Sequence, residues 1–418
     1  MNETTGADIS PGALEGVRVV ELASEHGALA GKILADLGAE VIVVEPPGGH
    51  ASRGFEPFLD DVPGPERSLW WWFYNTGKLS VVLDLHAAEG AARFRNLVEA
   101  CDIVLDCEAP GVLGDLGLDY EAFGGRAIPL VWVSITPFGR SSPRSGEPVT
   151  DLTLQAGAGP VWSCGYDDHL LPPVRPGGNQ GYHTACLWAV EAALVALYVR
   201  QTQGIGQLVD VSMHAAANVT TEAATYEWLV AQATVQRYTF RHAAVRLTPP
   251  RGMPSADGNT VIGALPRRDS EFAALMEWME ELGLAGQFGE FFFLGMGVER
   301  GGVQLPEIAS DPEAAAIYQA GADGLRLVAA HLPGQEFFLE AQRRGIPAAV
   351  LLSPDEVLGD AHFVARGFLI DVRHDDLGRS FVYPGPVYRA SASPWRVRGR
   401  APRVGEHADM VWSSLEGA

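Results

Sequence analysis

The sequence predicts an α/β chain whose main domain is a doubly wound parallel sheet. Three observations carry this. Short β-like runs alternate with segments of helical spacing through the first half of the chain. Glycine and proline punctuate the changeovers, at Gly38 and at Pro46-Pro47-Gly48-Gly49. The alternation breaks after about residue 215, where helical patterns dominate, so a second, smaller domain begins near there.

Val17 to Leu22 reads as the first strand. Ala28 to Leu37 reads as a helix, with Leu29, Ile33, Leu34 and Leu37 on one face, and Val41 to Glu45 as the next strand. A second unit follows: strand Ser80 to Leu85, helix Ala87 to Ala100, strand Asp102 to Asp106. Leu130 to Ile135 adds another strand. The apolar helix Ala185 to Arg200 turns through Gly204-Ile205-Gly206-Gln207 into strand Leu208 to Met213. Ala215 to Ala231 is helical, Thr260 to Ala264 a strand, Ser270 to Leu282 and Glu313 to Leu332 are helices, and Ile346 to Val350 is extended. The expected division is a polar tail 1–13, a large domain over 14–215, a small α+β domain over 225–352, a linker 353–367, and a return to the large domain over 368–418. That last segment is rich in Arg, Pro and Ser and reads as extended.

Composition excludes several classes. The 418 residues are 47% hydrophobic and 20% charged, as in an ordinary globular chain of two or three domains. A net charge of −22 argues against nucleic acid and anionic membrane surfaces as partners. Cys101, Cys107, Cys164 and Cys186 have neither zinc nor disulfide spacing, which fits a reducing cytoplasm and no metal site. The N-terminal residues are too polar for a signal peptide, and Ala185 to Val199 is too short to span a bilayer, so a soluble protein is expected. Gly295, Gly297 and Gly301 form a loose nucleotide fingerprint with no strand–helix–strand unit around it. The aromatic run Trp70 to Tyr74 reads as core or interface packing before it reads as a pocket.

An ordered series of short blocks carries a family resemblance. It starts with Leu34-Ala35-Asp36-Leu37-Gly38-Ala39-Glu40-Val41 and Val44-Glu45-Pro46, then Asn75, Lys78, Ser80 and Leu83-Asp84-Leu85. Pro110-Gly111, Leu116-Gly117-Leu118, Phe138-Gly139 and the central run 175–213 follow. Gly345-Ile346-Pro347, Ser353-Pro354, Glu356-Val357, Ala365-Arg366-Gly367 and Gly405-Glu406-His407 close the series. The chain resembles the family III CoA-transferases, the carnitine-dehydratase and bile-acid-inducible-F group, along nearly its whole length. The resemblance implies a large α/β domain built from both ends of the chain, a small domain between, and two chains interlocked as a dimer. It also implies CoA transfer between an acyl-CoA such as succinyl-CoA and a carboxylic acid, with benzylsuccinate as an aromatic candidate. CoA is then a substrate, and no cofactor is covalently bound.

The residues that would perform that chemistry are replaced. The family's nucleophile is an Asp near the start of the central helix, which attacks the thioester to form an anhydride. Counting back from Arg200 places it near Tyr182, or within Gly177 to Tyr182 if a short gap is allowed; no carboxylate lies there. The acids nearby in sequence are Asp167, Asp168 and Glu191. The first two read as solvated turn residues, and Glu191 as a buried or domain-edge carboxylate. His183 reads as a capping residue before it reads as a base. The resemblance places arginines for the CoA phosphates where this chain has Ala109 and Asp115. Each lost charge-assisted contact costs roughly 1.5–3 kcal/mol, so two lost contacts weaken binding by roughly 100-fold or more. Arg53 and Lys78 are the residual candidates for CoA contact. The glycine-rich lid of the family is replaced by Leu247 to Pro254, which is proline-rich and expected to be stiff. A scaffold kept while its chemical residues are cleared implies a catalytically silent, structural or regulatory subunit. It would be paired with a paralogous active subunit that supplies the Asp. A self-sufficient transferase or racemase using a displaced acid, and an acyl-CoA or acid binding protein, are the alternatives.

Overall fold

The computed structural model describes residues 10–239, 241–244 and 251–416. It divides into two compact units. One comprises residues up to Gly159, Gly177–Thr221 and Asp360 onward; the other comprises Pro160–Pro176 and Glu222–Gly359. Pro160–Pro176 interrupts what the sequence reading assigned wholly to the large domain. The polar tail, up to residue 9, and residues 247–250 of the expected stiff loop lie outside the described residues.

The first unit is built on six strands: β1 Arg18–Leu22, β2 Glu40–Glu45, β3 Leu79–Val82, β4 Ile103–Asp106, β5 Val131–Thr136 and β6 Gln207–Ser212. They form one parallel sheet in the order β3-β2-β1-β4-β5-β6. The helices that accompany them up to residue 219 are α1 Ala28–Asp36, α2 Leu69–Tyr74, α3 Ala88–Glu99, α4 Val112–Asp115, α5 Asp151–Ala158, α6 Gln180–Gln203 and α7 Met213–Val219. Side chains of period two split the sheet into two apolar layers. Val19, Val41, Ile103, Val131 and Val133 face α1 and α6. Val20, Ile42, Val81, Val104 and Trp132 face Phe94, Leu97 and Val98 of α3. Strands covered on both faces lack the alternation of a half-exposed sheet, which is why they read as plain apolar runs. The strand order reverses between β1 and β4, and that reversal opens a crevice at the carboxyl ends of the strands.

The Gly204-Ile205-Gly206-Gln207 turn has a specific cause. Gly204 closes α6 in the left-handed region, at φ +70°. A Cβ on Gly206 would lie 2.5 Å from the Leu130 carbonyl, so only glycine lets β6 begin against β5. α6 runs from Gln180 to Gln203, 24 residues, longer than the expected Ala185 to Arg200. The expectation that this segment is too short to span a bilayer is therefore corrected: by length and composition alone it is long and apolar enough. Its inner face (Ala185, Cys186, Ala189, Ala193, Ala196) is core.

The C-terminal segment is not simply extended. Leu369–His374 and Arg379–Pro384 form an antiparallel hairpin, and Ala408–Glu416 is a helix whose Val411 joins the α3-side core. The hairpin's His374, Phe381 and Tyr383 pack around Trp72 of α2. Trp71, Trp72 and Tyr74 are buried, so the aromatic run is core.

In the second unit, Gly252–Pro254, Thr260–Gly263 and Ala348–Val350 make a three-stranded antiparallel sheet. It packs on helices Asp269–Glu281, Phe291–Glu299, Pro312–Ala329 and Gly334–Arg343 through Phe272, Trp278, Leu325 and Phe337. Gly252 to Pro254, the described end of the expected stiff loop, is thus a strand. Gly295 and Gly297 sit in the second of those helices, and Gly297 lies against Phe272.

Candidate active site

The geometry of interest is at the start of α6. Asn179 precedes the first turn, and Tyr182 is buried, facing the core and packed at a tilt against His26 at 4.7 Å between centroids. A carboxylate does reach this helix start, but from another segment. Asp151, the first residue of α5, accepts the Gly181 N–H through Oδ1 at 2.8 Å. Its Oδ2 accepts Gln155 Nε2 at 2.5 Å. Thr150 caps α5 and so fixes where Asp151 projects. A Cβ on Gly181 would come within 3.0 Å of Asp151 Oδ1, so the glycine is what admits the carboxylate. Asp151 is 4% exposed with both oxygens engaged, which makes it an anchor for α6.

Around it stand four titratable groups. Glu25, in the loop after β1, is half-buried, and burial together with the Asp151 charge pushes its carboxyl up. His183, on the first turn of α6, bonds the Tyr74 hydroxyl through Nε2 at 2.6 Å. Burial lowers His183, with Asp151 partly opposing, and burial also lowers His26. The Tyr74 phenol is pushed up to about 12 by burial, offset in part by a hydrogen bond from Asn179. A protonated phenol that accepts from Asn179 donates its own hydrogen to a neutral imidazole. His183 is therefore not the expected helix cap, since it lies inside the first turn and Asn179 takes the cap position; it holds α2 to α6.

Cys186 donates to the His26 carbonyl at 3.0 Å, and burial pushes its thiol up to about 12. Cys107 packs against Gly27, where a Cβ would sit 2.3 Å from its sulfur, and burial raises it well above the usual thiol range. Neither is poised as a thiolate nucleophile.

The acids named from sequence fall elsewhere. Asp167 and Asp168 are exposed residues of the second unit, in the turn whose Leu170 N–H bonds Asp168. Of the two expectations for Glu191, buried or domain-edge, the buried one is overturned: it is exposed on α6, in a shallow groove with Trp188, Val195 and Val209. The outer face of a core helix carries it into solvent.

Arg53 and Lys78 do not fit the expected role of residual CoA contacts. Arg53 is 2% exposed and bidentate on Glu45, at 2.6 and 2.7 Å. Its remaining donors go to Glu66, Pro65 O and Pro402 O, and its guanidinium lies 3.8 Å over the Trp71 ring. Lys78 is 2% exposed, with its ammonium on Glu21, Asn75 and the Ala28 carbonyl. No N–H is left over for a phosphate on either residue. Lys32, the only other lysine of the chain, is also buried, on Asp36 and Thr76. Ala109 and Asp115 are exposed.

Sequence reasoning missed Glu25, Tyr74 and Asp151. No local signal marks them, because the loop after β1, α2 and α5 meet at α6 only through the tertiary fold.

Comparison with known proteins agrees with this architecture. CoA-transferase family III matches residues 14–291 and 295–408. Succinyl-CoA:(R)-benzylsuccinate CoA-transferase subunit BbsE of Thauera aromatica is 30% identical over 402 residues, covering 94% of this chain and 92% of its own. Succinyl-CoA–D-citramalate CoA-transferase of Chloroflexus aurantiacus is 32% identical over 418 residues, covering 97% and 95%. Among solved structures, a CAIB/BAIF family protein from Brucella suis superposes with a TM-score of 0.79 at 24% identity, covering 97% of this chain and 100% of its own; at that identity it speaks to the fold alone. The chain belongs to CoA-transferase family III.

Proposed function

We propose that this chain is the catalytically silent, structural or regulatory subunit of a heteromeric family III CoA-transferase. The complex moves CoA from succinyl-CoA to a carboxylic acid, with benzylsuccinate as the favoured acceptor. A paralogous active subunit supplies the Asp, the two chains interlock, and the complex works in the cytoplasm without a bound cofactor. One observation carries the reading. The first turn of α6 has no carboxylate of its own, and the one that reaches it, Asp151, is locked by the Gly181 N–H and Gln155. A relative named as a subunit, BbsE, supports it, as do relatives whose names give succinyl-CoA or succinate as a substrate. Arg53 and Lys78 then serve as buried structural ion pairs.

Glu25 favours a second reading, a self-sufficient transferase with a displaced acid. It is a half-buried carboxyl at the same helix start and, among the described residues, has no anchoring hydrogen bond like those of Asp151. One experiment separates the two. The chain is incubated with succinyl-CoA alone and with its paralogue, treated with hydroxylamine or borohydride, and mapped by peptide mass spectrometry. Label only on the partner's Asp supports the silent subunit. Label on Glu25 in the chain alone, lost in Glu25→Gln, overturns it.

A further inference from the structure

A concavity of about 540 Å³ lies at the amino ends of β1 to β4, the end of the sheet away from the start of α6. That volume suits a small molecule. Arg18 opens β1, Glu40 opens β2, Leu79 opens β3, and Asp102 directly precedes β4. α1 and α3 both end here, with Gly38 just past the first and Ala100 just past the second. Their carboxyl ends bring partial negative charge. Leu79 and the exposed Met410 of the C-terminal helix add apolar surface.

The charged side chains here come in opposite pairs that are only partly used. Arg18 gives Nε to Glu40 Oε1, and Arg398 gives Nη2 to Glu15 Oε2 at 2.6 Å. Asp102 is spent: Oδ1 accepts Arg200 Nη2 at 2.7 Å and Oδ2 accepts the Arg18 N–H at 2.8 Å. Among the described residues, neither η nitrogen of Arg18 has a hydrogen-bond partner, and Glu40 Oε2 has none either. The Arg18 side chain is only 22% exposed, so its unused N–H groups open into this concavity. The hydrogen bond from Arg398 lowers the Glu15 carboxyl, which therefore stays ionised. Arg398 sits in a socket made by glycines: a Cβ on Gly12 would lie 3.1 Å, and on Gly38 2.9 Å, from its Nη2.

We propose that this concavity binds a free α-amino acid with an apolar side chain, its carboxylate on the Arg18 guanidinium and its ammonium on Glu40 and Glu15. A guanidinium with two unused nitrogens presents the fork that a carboxylate fits. A dianion would also meet Glu15, Glu40 and two helix carboxyl ends, in a chain of net charge −22. A simple cation would meet the Arg18 and Arg398 guanidiniums. An α-amino acid carries both charges side by side, as the contacting Arg18–Glu40 pair does, and brings no net charge. The proposal does not involve the missing nucleophile, so it and the silent-subunit reading can fail separately.

L-leucine, N-acetyl-L-leucine, L-leucinamide and succinate serve as probes for titration calorimetry of the full chain. Leucine is expected to bind with a Kd below about 1 mM, and the other three at least about tenfold more weakly. Arg18→Gln should weaken leucine by about tenfold or more. Glu15→Gln, at an exposed position, should weaken leucine and strengthen N-acetylleucine. Loss of folded protein does not produce that change of preference, and circular dichroism verifies the fold of each variant. Failure of leucine to bind the wild type at about 5 mM overturns the proposal. So does binding of N-acetylleucine, leucinamide or succinate as tight as that of leucine, or a leucine affinity unchanged in both folded variants. The acyl-trapping experiment, which reads the location of the anhydride, is indifferent to all of these results.

Discussion

Replacing Arg53 with alanine separates a structural ion pair from a ligand contact. In the wild type, Glu45 is 0% exposed and receives four hydrogen bonds, two of them from Arg53. The substitution leaves that carboxylate buried with only Ser80 Oγ and the His50 N–H. Stranding one partner of a buried pair costs about 3–5 kcal/mol. The guanidinium also leaves the Trp71 face, where it sits at 3.8 Å, a contact worth roughly 1–2 kcal/mol when desolvated. These terms share one side chain and do not add fully, so about 4 kcal/mol is expected. At roughly 2–4 °C per kcal/mol, the melting midpoint should fall by on the order of 10 °C. Thermal and urea unfolding followed by tryptophan fluorescence suits the test, since Trp71 and Trp72 lie beside the pair. A chain of two units need not unfold in one step, so the transition of the first unit is the one to read. Arg53→Lys keeps the charge and loses the fork, and should fall between wild type and alanine. A Arg53→Ala protein within about 0.5 kcal/mol of wild type, the range of an ordinary surface change, would refute the reasoning. A normal melting curve with a selective loss of CoA affinity would do the same.

Further predictions follow from the same unit. Gly31→Ala would place a Cβ 1.8 Å from Glu21 Oε2 and 3.0 Å from Lys78 Nζ. It should destabilise by at least about 1–3 kcal/mol in a urea titration, while Gly54→Ala, with open space around it, should be near neutral. Tyr74→Phe removes the hydrogen bond to His183 Nε2 and should cost about 1 kcal/mol. It should also raise the His183 titration midpoint read by NMR. In the wild type that midpoint lies below the usual 6.5, so the stability due to the neutral imidazole is complete above 6.5 and is lost as the pH falls through the lower folded value. Glu406 is held at about 2, chiefly by its hydrogen bond to Arg400. Its contribution is present above 4.5 and is lost as the pH falls toward 2, so Glu406→Gln should flatten that part of an acid unfolding curve.

What could be read from sequence was what local patterns encode. β1 to β6 are apolar runs bounded by turn residues, and their alternation with α1 and α3 leaves a parallel sheet as the economical arrangement. The first turn of α6 was harder. Gln180 to Thr184 carries little apolar signal, and its helical start follows Gly178, at φ +72°, and is held by Asp151 receiving the Gly181 N–H. The C-terminal hairpin was hidden by its Arg, Asp and Ser content, since only one face of it meets Trp72. Arg53 and Lys78 were misread for a physical reason: charged residues are rarely buried unless paired, and their partners, Glu45 and Glu21, sit on neighbouring strands. Glu25 and Asp151 lie more than a hundred residues apart in sequence, and no periodicity joins them.

The burial of Lys32 and Lys78 bears on how the molecule can be handled. With both ammonium groups enclosed, every cationic side chain on the surface that stays charged through neutral pH is an arginine. Guanidinium groups keep their charge well past the range in which surface lysines titrate, so the surface field should hold steady into alkaline solution. Lysine-directed acylating dyes and crosslinkers should find no side-chain target on the folded chain, and the appearance of such labels on Lys32 or Lys78 becomes a direct readout of unfolding.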